Sequence, residues 1–471
     1  MRNRQARLLF IAFPLAMIVG ALCFSASRDS HGTRKLGDAP RDTLNVIGEQ
    51  SANLEALAEI AREFTDSTGT AVVVHGKPFA DVGKEATADF LRHSGRYDLV
   101  LDYNFSLPVY VQNRYVLNLA EAAATLQPRA GTADSLPSSV RRTASSLFEN
   151  AWKEVGWFRT GTAAAAKMTP IAFPASANSM LLVVNRRMFE DSSAQRQFAL
   201  RYGHPLRIPE TWQEFRDAAQ FFTDSSRDRY GVVMQGASDG WLYYEWSNFA
   251  YSFGGGVMSK RYGWEGGAHE PLRLRDSITV AATEFYLSLR PFAAPGYFRT
   301  DAIAQRDSMR TGRYAMAIMW SDYMYGLLFD ADGHDHTADF DFAPIPGRVS
   351  MLAGGSFFVN RDSRHAASAM SFVMFALDSA RQSRAMIAKG LSSPVRSAYT
   401  PEVVARLPYA RALSASLQRG VYMNEAGPDA TFIANELTDA LQRAWRGEQN
   451  AHEAMAAASR RIENGRTRFY Q

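Results

Sequence analysis

Apolar and polar residues follow two different periods along the first part of the chain, and these periods predict its elements. The run TLNVIGEQ at residues 43–50 predicts a strand. Residues 51–69 predict a helix, because the apolar side chains recur at helical spacing: Leu54, Leu57, Ala61 and Phe64. Ser51 or Asn53 can cap the start of this helix, and Gly69 can end it.

The same alternation continues through two more strands and one more helix. Residues 70–76, TAVVVHG, predict the second strand, residues 81–93 a helix, and residues 97–104, YDLVLDYN, a third strand with an apolar centre. Strands that are apolar on both faces are typical of a parallel sheet covered by helices. Ligands of such sheets bind beyond the carboxyl ends of the strands. We therefore expect four residues at those ends to face a ligand: Glu49, Gln50, Asp102 and Tyr103.

The rest of the chain also alternates between strand and helix patterns. Strands are predicted within residues 168–189, 229–236, 312–320, 339–347 and 354–360. Residues 208–222, IPETWQEFRDAAQFF, predict a helix in which Thr211 and Glu214 form a capping box. A second helix is predicted at about residues 276–290. These elements are too many for one ordinary sheet, so the predicted fold class is α/β with two lobes.

Charge excludes one class of partner. The 471 residues contain 52 Lys and Arg against 48 Asp and Glu. Arg2, Arg4 and Arg7 lie in an N-terminal segment without acids, and without them 49 basic residues face 48 acidic ones, a net charge of about +1. A nucleic-acid-binding surface needs a basic stripe that displaces counterions. We therefore expect no nucleic-acid partner.

Residues 1–27 predict a signal peptide or a membrane anchor. Three arginines precede an apolar run from Leu8 to Phe24, and small residues follow it. Cys23, the single cysteine, is a candidate lipidation site, although Leu22 departs from the small residue of a bacterial lipobox. With one cysteine no internal disulfide can form. Residues 28–41 are polar, contain Gly and Pro, and predict a linker.

Several blocks of sequence, taken in order, resemble the extracellular solute-binding proteins of bacterial ABC importers, in the maltose-binding-protein-like group that carries sugars. The blocks are NLEALAEIAREFTDSTGTAVVV, YDLVLDY, PIAFPASANSMLLVVNRRMFED, PETWQEFRDAAQ, FAPIPG, GGSFFVNRDSRHAASAMSFVMFAL and AKGLSSPVRSA. The resemblance implies a periplasmic-binding-protein fold, with two α/β lobes, each a mostly parallel sheet flanked by helices, and hinge crossings between them. It implies lobe I at residues 42–177 and 353–400, and lobe II at residues 178–352 and 401–471.

The aromatic segment DGWLYYEWSNFAYSFGGGV, residues 239–257, contains both core and ligand candidates. A sugar has apolar faces and a rim of hydroxyls, which flat aromatic rings and nearby carboxylates would bind. If the segment is helical, one face forms a core stripe: Leu242, Trp246, Phe249, Ala250 and Phe253. Trp241 and Tyr244 lie at the helix start, away from the centre of that stripe, and are expected to face the cleft. The glycines at 254–256 are expected to end the helix.

A second group of ligand candidates follows a predicted strand. The segment MAIMWSDYMYG, residues 316–326, brings Trp320, Asp322 and Tyr323 together at its end. We expect these three residues to contact the ligand, since the resemblance implies that this strand leads to the cleft. Trp320 as a core residue, and Asp322 as the cap of a following helix, are the alternatives.

Three candidates lie near the predicted return crossing and the end of lobe I. Gly354 and Gly355 would let the chain bend or approach a ligand closely, and the resemblance implies both roles. It also places Arg396, in SSPVRSA, near the cleft, whereas a surface arginine is the alternative.

The resemblance implies an exported receptor without enzymatic activity, a monomer that captures a sugar by hinge closure and docks on the membrane permease of an ABC transporter. Two alternatives stay open: the same fold binding a polyamine or phosphodiester, and an exported carbohydrate-active enzyme, which would need two carboxylates across a bond. His334 and His336 lie among acids, but a polar loop is favoured over a metal site. No cofactor motif is present.

Overall fold

The computed structural model describes residues 42–126, 136–160, 167–238, 240–258, 271–420 and 429–466. The predicted signal peptide or anchor and the predicted linker therefore lie outside the described residues. Within the described ranges, no helix combines the length and the apolar character needed to cross a bilayer.

Strands in the described residues are distributed over the whole chain. Their bounds are β1 Thr43–Glu49, β2 Ala71–Lys77, β3 Leu99–Tyr103, β4 Trp157–Thr160, β5 Lys167–Pro170, β6 Phe173–Pro174, β7 Asn178–Asn185, β8 Tyr230–Val233, β9 Tyr314–Trp320, β10 Phe340–Pro344, β11 Leu352–Ala353 and β12 Gly355–Val359. Strands and helices are interspersed along the chain up to β12, which confirms the predicted α/β class.

Helices lie in most of the longer intervals between the strands and make up most of the described residues after β12. The first nine are α1 Ala52–Thr68, α2 Phe79–Arg92, α3 Leu107–Gln112, α4 Leu119–Ala124, α5 Ser138–Ser146, α6 Glu149–Gly156, α7 Arg186–Glu190, α8 Ser192–Tyr202 and α9 Trp212–Phe222. The others are α10 Trp241–Ser252, α11 Ser277–Ser288, α12 Ala302–Arg310, α13 Met324–Leu328, α14 Ala366–Ala376, α15 Ser379–Lys389, α16 Pro401–Arg406, α17 Ala410–Arg419, α18 Ala430–Arg446 and α19 Ala451–Gly465.

Local signals determine where the first helix begins and ends. Ser51, rather than Asn53, caps α1, because its hydroxyl accepts a hydrogen bond from the backbone N–H of Leu54. Gly69 ends the helix at φ 78°, a left-handed conformation that glycine adopts without steric cost. The predicted stripe is buried, with Phe64 4% exposed. The helix boundaries and its core face therefore follow from the sequence as predicted.

The first sheet has the strand order β2-β1-β3-β12-β6. Strand β1 pairs in parallel with both β2 and β3, so the carboxyl ends of these three strands share one edge, as predicted. Strand β12 pairs antiparallel with β3 and β6. Helices cover both faces of this sheet: α1 packs on one face, and α2 with α3 on the other.

The second sheet has the order β10-β7-β9-β8, and β11 also pairs with β7. Its directions are mixed, because β7 runs antiparallel to β9 and β10 while β8 runs parallel to β9. Helices α9, α10, α18 and α19 cover one face with a core that includes Trp246 and Trp445. The opposite face joins the core that also contains α1 and α15.

Two of the connections between the two sheets lie side by side. Residues 175–177 connect β6 of the first sheet to β7 of the second. Gly354 connects β11 back to β12 at φ 150°, and a Cβ there would lie 2.2 Å from the carbonyl oxygen of Ser176. The two crossings thus touch each other, and only glycine fits at the second one. The assignment of lobes as separately moving bodies remains a prediction.

Candidate functional site

The site is built from the residues at the carboxyl ends of β1 and β3. Their shared edge borders a cavity of about 490 Å³, a volume that includes its solvent-open mouth. The lining residues are Glu49, Ser51, Asn53, Leu54, Leu57, Ile60, Leu101, Asp102, Tyr103, Ala175, Ser176, Gly355, Gln382 and Leu391. Four predicted site residues are among them: Glu49, Asp102 and Tyr103 lie at the carboxyl ends of the parallel strands β1 and β3, and Gly355 begins the antiparallel β12 at the same edge.

Glu49 and Tyr103 form a direct pair at this edge. The Tyr103 hydroxyl donates a hydrogen bond to the Glu49 carboxylate. Burial raises the pKa of Glu49, the Tyr103 hydrogen bond opposes that rise, and the charge of Asp102 adds to it. Burial also raises the pKa of Tyr103 well above its usual value. Glu49 therefore presents a carboxyl group that takes up protons more readily than a surface glutamate.

Asp102 is directed mainly towards the interior of the first lobe. It is 3% exposed and accepts hydrogen bonds from the Tyr110 hydroxyl and from the backbone N–H of Tyr103. Burial raises the pKa of Asp102. Both carboxylate oxygens of Asp102 therefore accept hydrogen bonds within the first lobe. The contact of Asp102 with a ligand stays a prediction.

The second sheet contributes Asp322 and Tyr323 through a 3-10 turn, Ser321–Tyr323, that follows β9. The Asn178 Nδ2 donates to Asp322 Oδ2 at 2.9 Å. The other oxygen, Oδ1, is enclosed and has no hydrogen-bond partner among the described residues. Burial, followed by the charge of Glu49, raises the pKa of Asp322 to about 7. Tyr323, not Asp322, is the residue that precedes α13, so Asp322 does not cap that helix.

The two sheets bring their candidates together. The charges of Glu49 and Asp322 both raise the pKa of Tyr103, and both raise the pKa of Tyr323. We call Glu49, Tyr103, Asp322 and Tyr323 the cleft cluster. Asn178, one residue beyond the first crossing, anchors it to the hinge. The cluster places carboxylates and phenols from both sheets within electrostatic reach of one another.

The predicted core stripe of the aromatic segment is buried, and Trp241 lies at its edge. In α10, Leu242, Trp246 and Ala250 are fully buried and Phe249 is 1% exposed, which confirms the core stripe, although Phe253 is only partly buried. Trp241, the first residue of α10, packs edge-on against Tyr323 with ring centroids 6.2 Å apart. Trp241 therefore adjoins the cleft cluster, and its contact with a ligand stays a prediction.

Trp320 and Tyr244 pack against each other rather than against the cleft cluster. Their rings meet edge-to-face at 5.9 Å, and Trp320 is 6% exposed within the core of the second lobe. Burial raises the pKa of Tyr244 to about 12. The strand that ends at Trp320 sends this side chain to the helix-covered face, because its register partner is Met180, a member of the same core. This geometry supports the alternative, in which Trp320 is a core residue.

The remaining candidates lie in different places. Gly355 lines the cavity and donates its N–H to Ser176 Oγ at 3.1 Å, while Gly354 forms the crossing itself. Gln50 is exposed, and its backbone N–H donates to the carbonyl of Lys77. Arg396 is exposed and donates to the carbonyl of Ser145. Arg396 contacts α5 instead of the cleft cluster, and the ligand contact of Gln50, the residue after Glu49, stays a prediction.

Sequence reasoning missed three residues of this region. Phe79 and Phe105 form an aromatic cluster with Tyr103, with ring centroids 5.5 to 5.8 Å apart. Both follow strands that end at the same edge, so the rule that selected Tyr103 would also have found them. Asn178 carried no signal, because its role depends on Asp322, 144 residues further along the chain.

The histidine loop forms internal hydrogen bonds. His334 Nδ1 lies 2.9 Å from Asp330 Oδ2, and His336 Nδ1 lies 2.9 Å from Asp339 Oδ2. The backbone N–H groups of Asp332 and His334 also donate to Asp330. The carboxylates of Asp330 and Asp332 and a nitrogen of His334 lie near enough to hold a metal ion in common. Exposed acidic turns commonly adopt this arrangement without a metal, and the hydrogen bonds account for the geometry.

Comparison with known sequences identifies one matching family. The sequence model of the family described as bacterial extracellular solute-binding protein matches residues 48–383. No curated protein sequence matches the chain significantly.

Comparison with solved structures finds the same architecture. An ABC transporter solute-binding protein from Agrobacterium radiobacter K84, in complex with ribitol, is 19% identical, with a TM-score of 0.69 over 90% of this chain and 98% of that one. Maltose-bound MalE3 from T. maritima is 15% identical, with a TM-score of 0.68 over 90% and 99%. The sugar-binding protein MalE from Xanthomonas citri is 17% identical, with a TM-score of 0.68 over 90% and 96%. At these identities the likeness shows the two-lobed fold.

Proposed function

We propose a function from one premise: this chain belongs to the bacterial extracellular solute-binding protein family. We infer that it is an exported receptor that captures a polyhydroxylated solute, a sugar or sugar alcohol, between its two lobes. The observation that carries this proposal is the cleft cluster, in which Glu49 and Tyr103, at the carboxyl ends of β1 and β3, lie within electrostatic reach of Asp322 and Tyr323 in the turn after β9.

The chemistry of the cluster suits such a solute. Carboxylates accept hydrogen bonds from hydroxyl groups, and these charge-assisted bonds are stronger than neutral ones. The rings of Phe79, Tyr103 and Trp241 offer apolar surface for the C–H faces of a sugar. A ligand pocket with aromatic walls and a few converging polar groups fits this combination. The similar structures that contain ribitol and maltose support the class of solute proposed here.

Capture would proceed by closure about the two crossings. A solute that contacts Glu49 on one sheet and Asp322 on the other binds the closed arrangement better than an open one, and so shifts the population towards it. The segment 175–177 and Gly354 are the backbone positions that would absorb this motion. Closure thereby converts ligand contacts in the cleft into a change in the relative position of the lobe rims.

The receptor would act as a monomer outside the cytoplasmic membrane, either free in the periplasm or tethered to the outer face of that membrane. Its closed form would dock on the membrane permease of an ABC transporter. We propose that the solute is released unchanged, without turnover.

Thermal unfolding with a library of saccharides and polyols tests the proposal. Ribitol, mannitol, maltose and tagatose, together with larger oligosaccharides, are added to the purified protein. A ligand that binds only the native state at 100 times its Kd adds about 2.7 kcal/mol to the free energy of unfolding, so at least one member should raise the Tm. Product analysis of the same mixtures should find the ligand intact. Failure of every sugar and polyol to raise the Tm, or appearance of a cleavage product, would contradict the proposal.

A matched pair of variants ties binding to the cleft. Tyr103→Phe removes the hydroxyl that orients Glu49. For the ligand that raises the Tm, this variant should have a Kd about tenfold higher, since a hydrogen bond to a charged group contributes about 1.5 kcal/mol or more. Tyr202→Phe removes an exposed hydroxyl in the second lobe, bonded to Gln220 at 3.3 Å, and should leave Kd unchanged. Equal Kd values for the two variants would place the ligand elsewhere.

A further inference from the structure

Two buried oxygens, one on Asn178 beside the first crossing and one on Asp322, lack hydrogen-bond donors. Asn178 is 3% exposed, and its amide is oriented by donation from Nδ2 to Asp322 Oδ2. Asn178 Oδ1 and Asp322 Oδ1 are both enclosed, and neither has a hydrogen-bond partner among the described residues. Leaving a buried acceptor unsatisfied costs about 1–3 kcal/mol. These two oxygens would therefore be stabilised by a group that supplies several N–H or O–H donors.

The charges around these oxygens are predominantly negative. The charge of Glu49 acts on Asp322, that of Asp102 acts on Glu49, and that of Asp301, at the start of α12, acts on Tyr323. Among the described residues, the cation that acts on Tyr323 is Arg306, and its guanidinium lies 2.8 Å from Asp307. Within the described part of the chain, neither Glu49 nor Asp322 has a Lys or Arg partner. Enclosed carboxylates without a countercharge are unfavourable, so a cation would stabilise them.

Aromatic rings adjoin the same carboxylates. Tyr103 stacks on Phe105 with centroids 5.8 Å apart and an interplanar angle of 17°, and Phe79 closes the cluster at 5.5 Å from Tyr103. Phe79 is 50% exposed, so part of its ring faces solvent or a ligand. The face of an aromatic ring attracts a cation, by about 0.5–2 kcal/mol depending on desolvation. Acids and rings together favour a cation over a neutral group.

We propose that the solute carries a protonated amine, which binds between Asn178, Asp322 and Glu49 beside the rings of Tyr103 and Phe79. This inference rests on the proposed function, because it names the class of solute for the same cleft. An ammonium group supplies three N–H donors, which satisfies both orphan oxygens and leaves one donor for Glu49. A neutral hydroxyl supplies one donor and no countercharge.

The proposal predicts that binding releases protons. Asp322 has its pKa raised to about 7, so near neutral pH a part of the population carries a proton on this carboxyl. An ammonium beside it favours the ionised form and lowers its pKa, and the proton leaves as the ligand binds. The affinity for an amine that stays protonated, such as spermidine, should therefore increase as the pH rises through 7. The groups that face Asp322 are Glu49, Tyr103, Tyr323 and Tyr409.

Calorimetry with three matched disaccharides tests the proposal. Cellobiose, the N-acetylglucosamine disaccharide and the glucosamine disaccharide share one linkage and differ at C2, which carries hydroxyl, acetamide or ammonium. Spermidine is added as an amine without a sugar. We expect the glucosamine disaccharide to bind at least tenfold more tightly than the other two disaccharides at pH 7, more weakly at pH 5.5, and with proton release. Proton release is measured from titrations in two buffers of different ionisation enthalpy.

Each outcome separates this inference from the function on which it rests. Tighter binding of a neutral disaccharide would overturn the amine and leave the receptor function standing. Binding of spermidine alone would support the amine and overturn the sugar. Binding of none of the four, after the wider sugar library has also failed, would overturn both proposals.

Variants locate the amine. Asp322→Asn keeps the shape of the side chain and should weaken the glucosamine disaccharide at least tenfold more than it weakens cellobiose, and abolish the proton release of the charged ligand. Asp228→Asn removes an exposed acid of the same lobe, paired with Arg313, and should change neither ligand. If Asp322→Asn fails to fold, Glu49→Gln is expected to give the same selective loss. Equal losses for charged and neutral ligands would overturn the proposal.

Discussion

The two walls of the cleft are formed by different parts of the chain relative to their strands. On the first sheet, Glu49 and Tyr103 are the last residues of parallel strands, and their side chains reach the cleft directly from the strand ends. On the second sheet, β9 ends at Trp320, which turns into the core, and the cleft residues Asp322 and Tyr323 come from the turn that follows. Where neighbouring strands run in parallel, the strand ends themselves bring candidate side chains together. In the mixed sheet, the turn after the strand supplies the candidates.

The two walls also differ in how deeply their aromatic residues are buried. The helix α10 carries many rings, yet most of them pack inside the second lobe. The smaller group of Phe79, Tyr103 and Phe105 lies at the edge of the first sheet, with Phe79 half exposed. A local excess of aromatic residues indicates a core at least as often as a binding surface.

The largest expected effect concerns Trp320, when it is compared with Trp241 of the same lobe. Trp320→Ala should lower the free energy of unfolding by about 3–5 kcal/mol, because a nearly fully buried tryptophan leaves a cavity. Trp241→Ala should cost much less, since its ring is only partly buried beside Tyr323. Guanidinium unfolding of both apo variants gives the two values. Similar losses for the two would remove the distinction between core and cleft on this wall.

A smaller effect is the dependence of stability on pH, which should differ between a carboxyl group inside the second lobe and one in the cleft. Burial raises the pKa of Glu245 to about 8, although Gln235 N–H and the Tyr286 hydroxyl donate to its carboxyl group. In the unfolded chain a glutamate ionises near pH 4.3, so between about pH 4.5 and 8 the folded state binds more protons than the unfolded state. Stability should therefore fall as the pH rises through this window, by at most about 1.4 kcal/mol per pH unit for each such group.

Glu245→Gln should flatten this pH dependence up to about pH 8. Asp322→Asn, which removes the group with a pKa of about 7, should flatten it only up to about pH 7. Midpoints of guanidinium unfolding of the apo protein between pH 5 and 9 provide the measurement. An unchanged slope in the Glu245 variant would show that this carboxyl group is already ionised in the folded protein.

The sequence predicted local elements well, because their signals are local. The cap Thr211 and its partner Glu214 form the capping box of α9 with both hydrogen bonds present. Helix α10 stops at Ser252, just before the glycines that were expected to end it. The parallel order of β1, β2 and β3 followed from their apolar centres and the helices between them.

The site was only partly predictable, because its decisive contacts connect distant segments. Trp320 and Asp322 are two residues apart and looked equivalent as ligand candidates. The register of β9 with β7 directs one into the core and leaves the other in the turn. No periodicity encodes that register. The pairing of Asn178 with Asp322 likewise required the folded crossing.

The smallest expected effect concerns Arg396, which the resemblance placed near the cleft. Its guanidinium donates to the carbonyl of Ser145, and its charge acts on Glu149 at the start of α6. Both partners belong to the helices of the first lobe, so the arginine stabilises a surface corner instead of the cleft cluster. Because an exposed contact of this kind contributes about 0–1 kcal/mol, Arg396→Ala should change stability by less than about 1 kcal/mol.

The same variant should leave the Kd of the bound solute unchanged, whereas Glu49→Gln in the same lobe should weaken it at least tenfold. Calorimetric titration of both variants with the ligand found by thermal unfolding makes the comparison. A loss of affinity in Arg396→Ala as large as in Glu49→Gln would mean that closure brings this corner to the solute, and the first wall would then extend beyond the carboxyl ends of β1 and β3. An unchanged Kd restricts the binding surface of the first lobe to that sheet edge, where parallel strand direction alone determines which side chains converge.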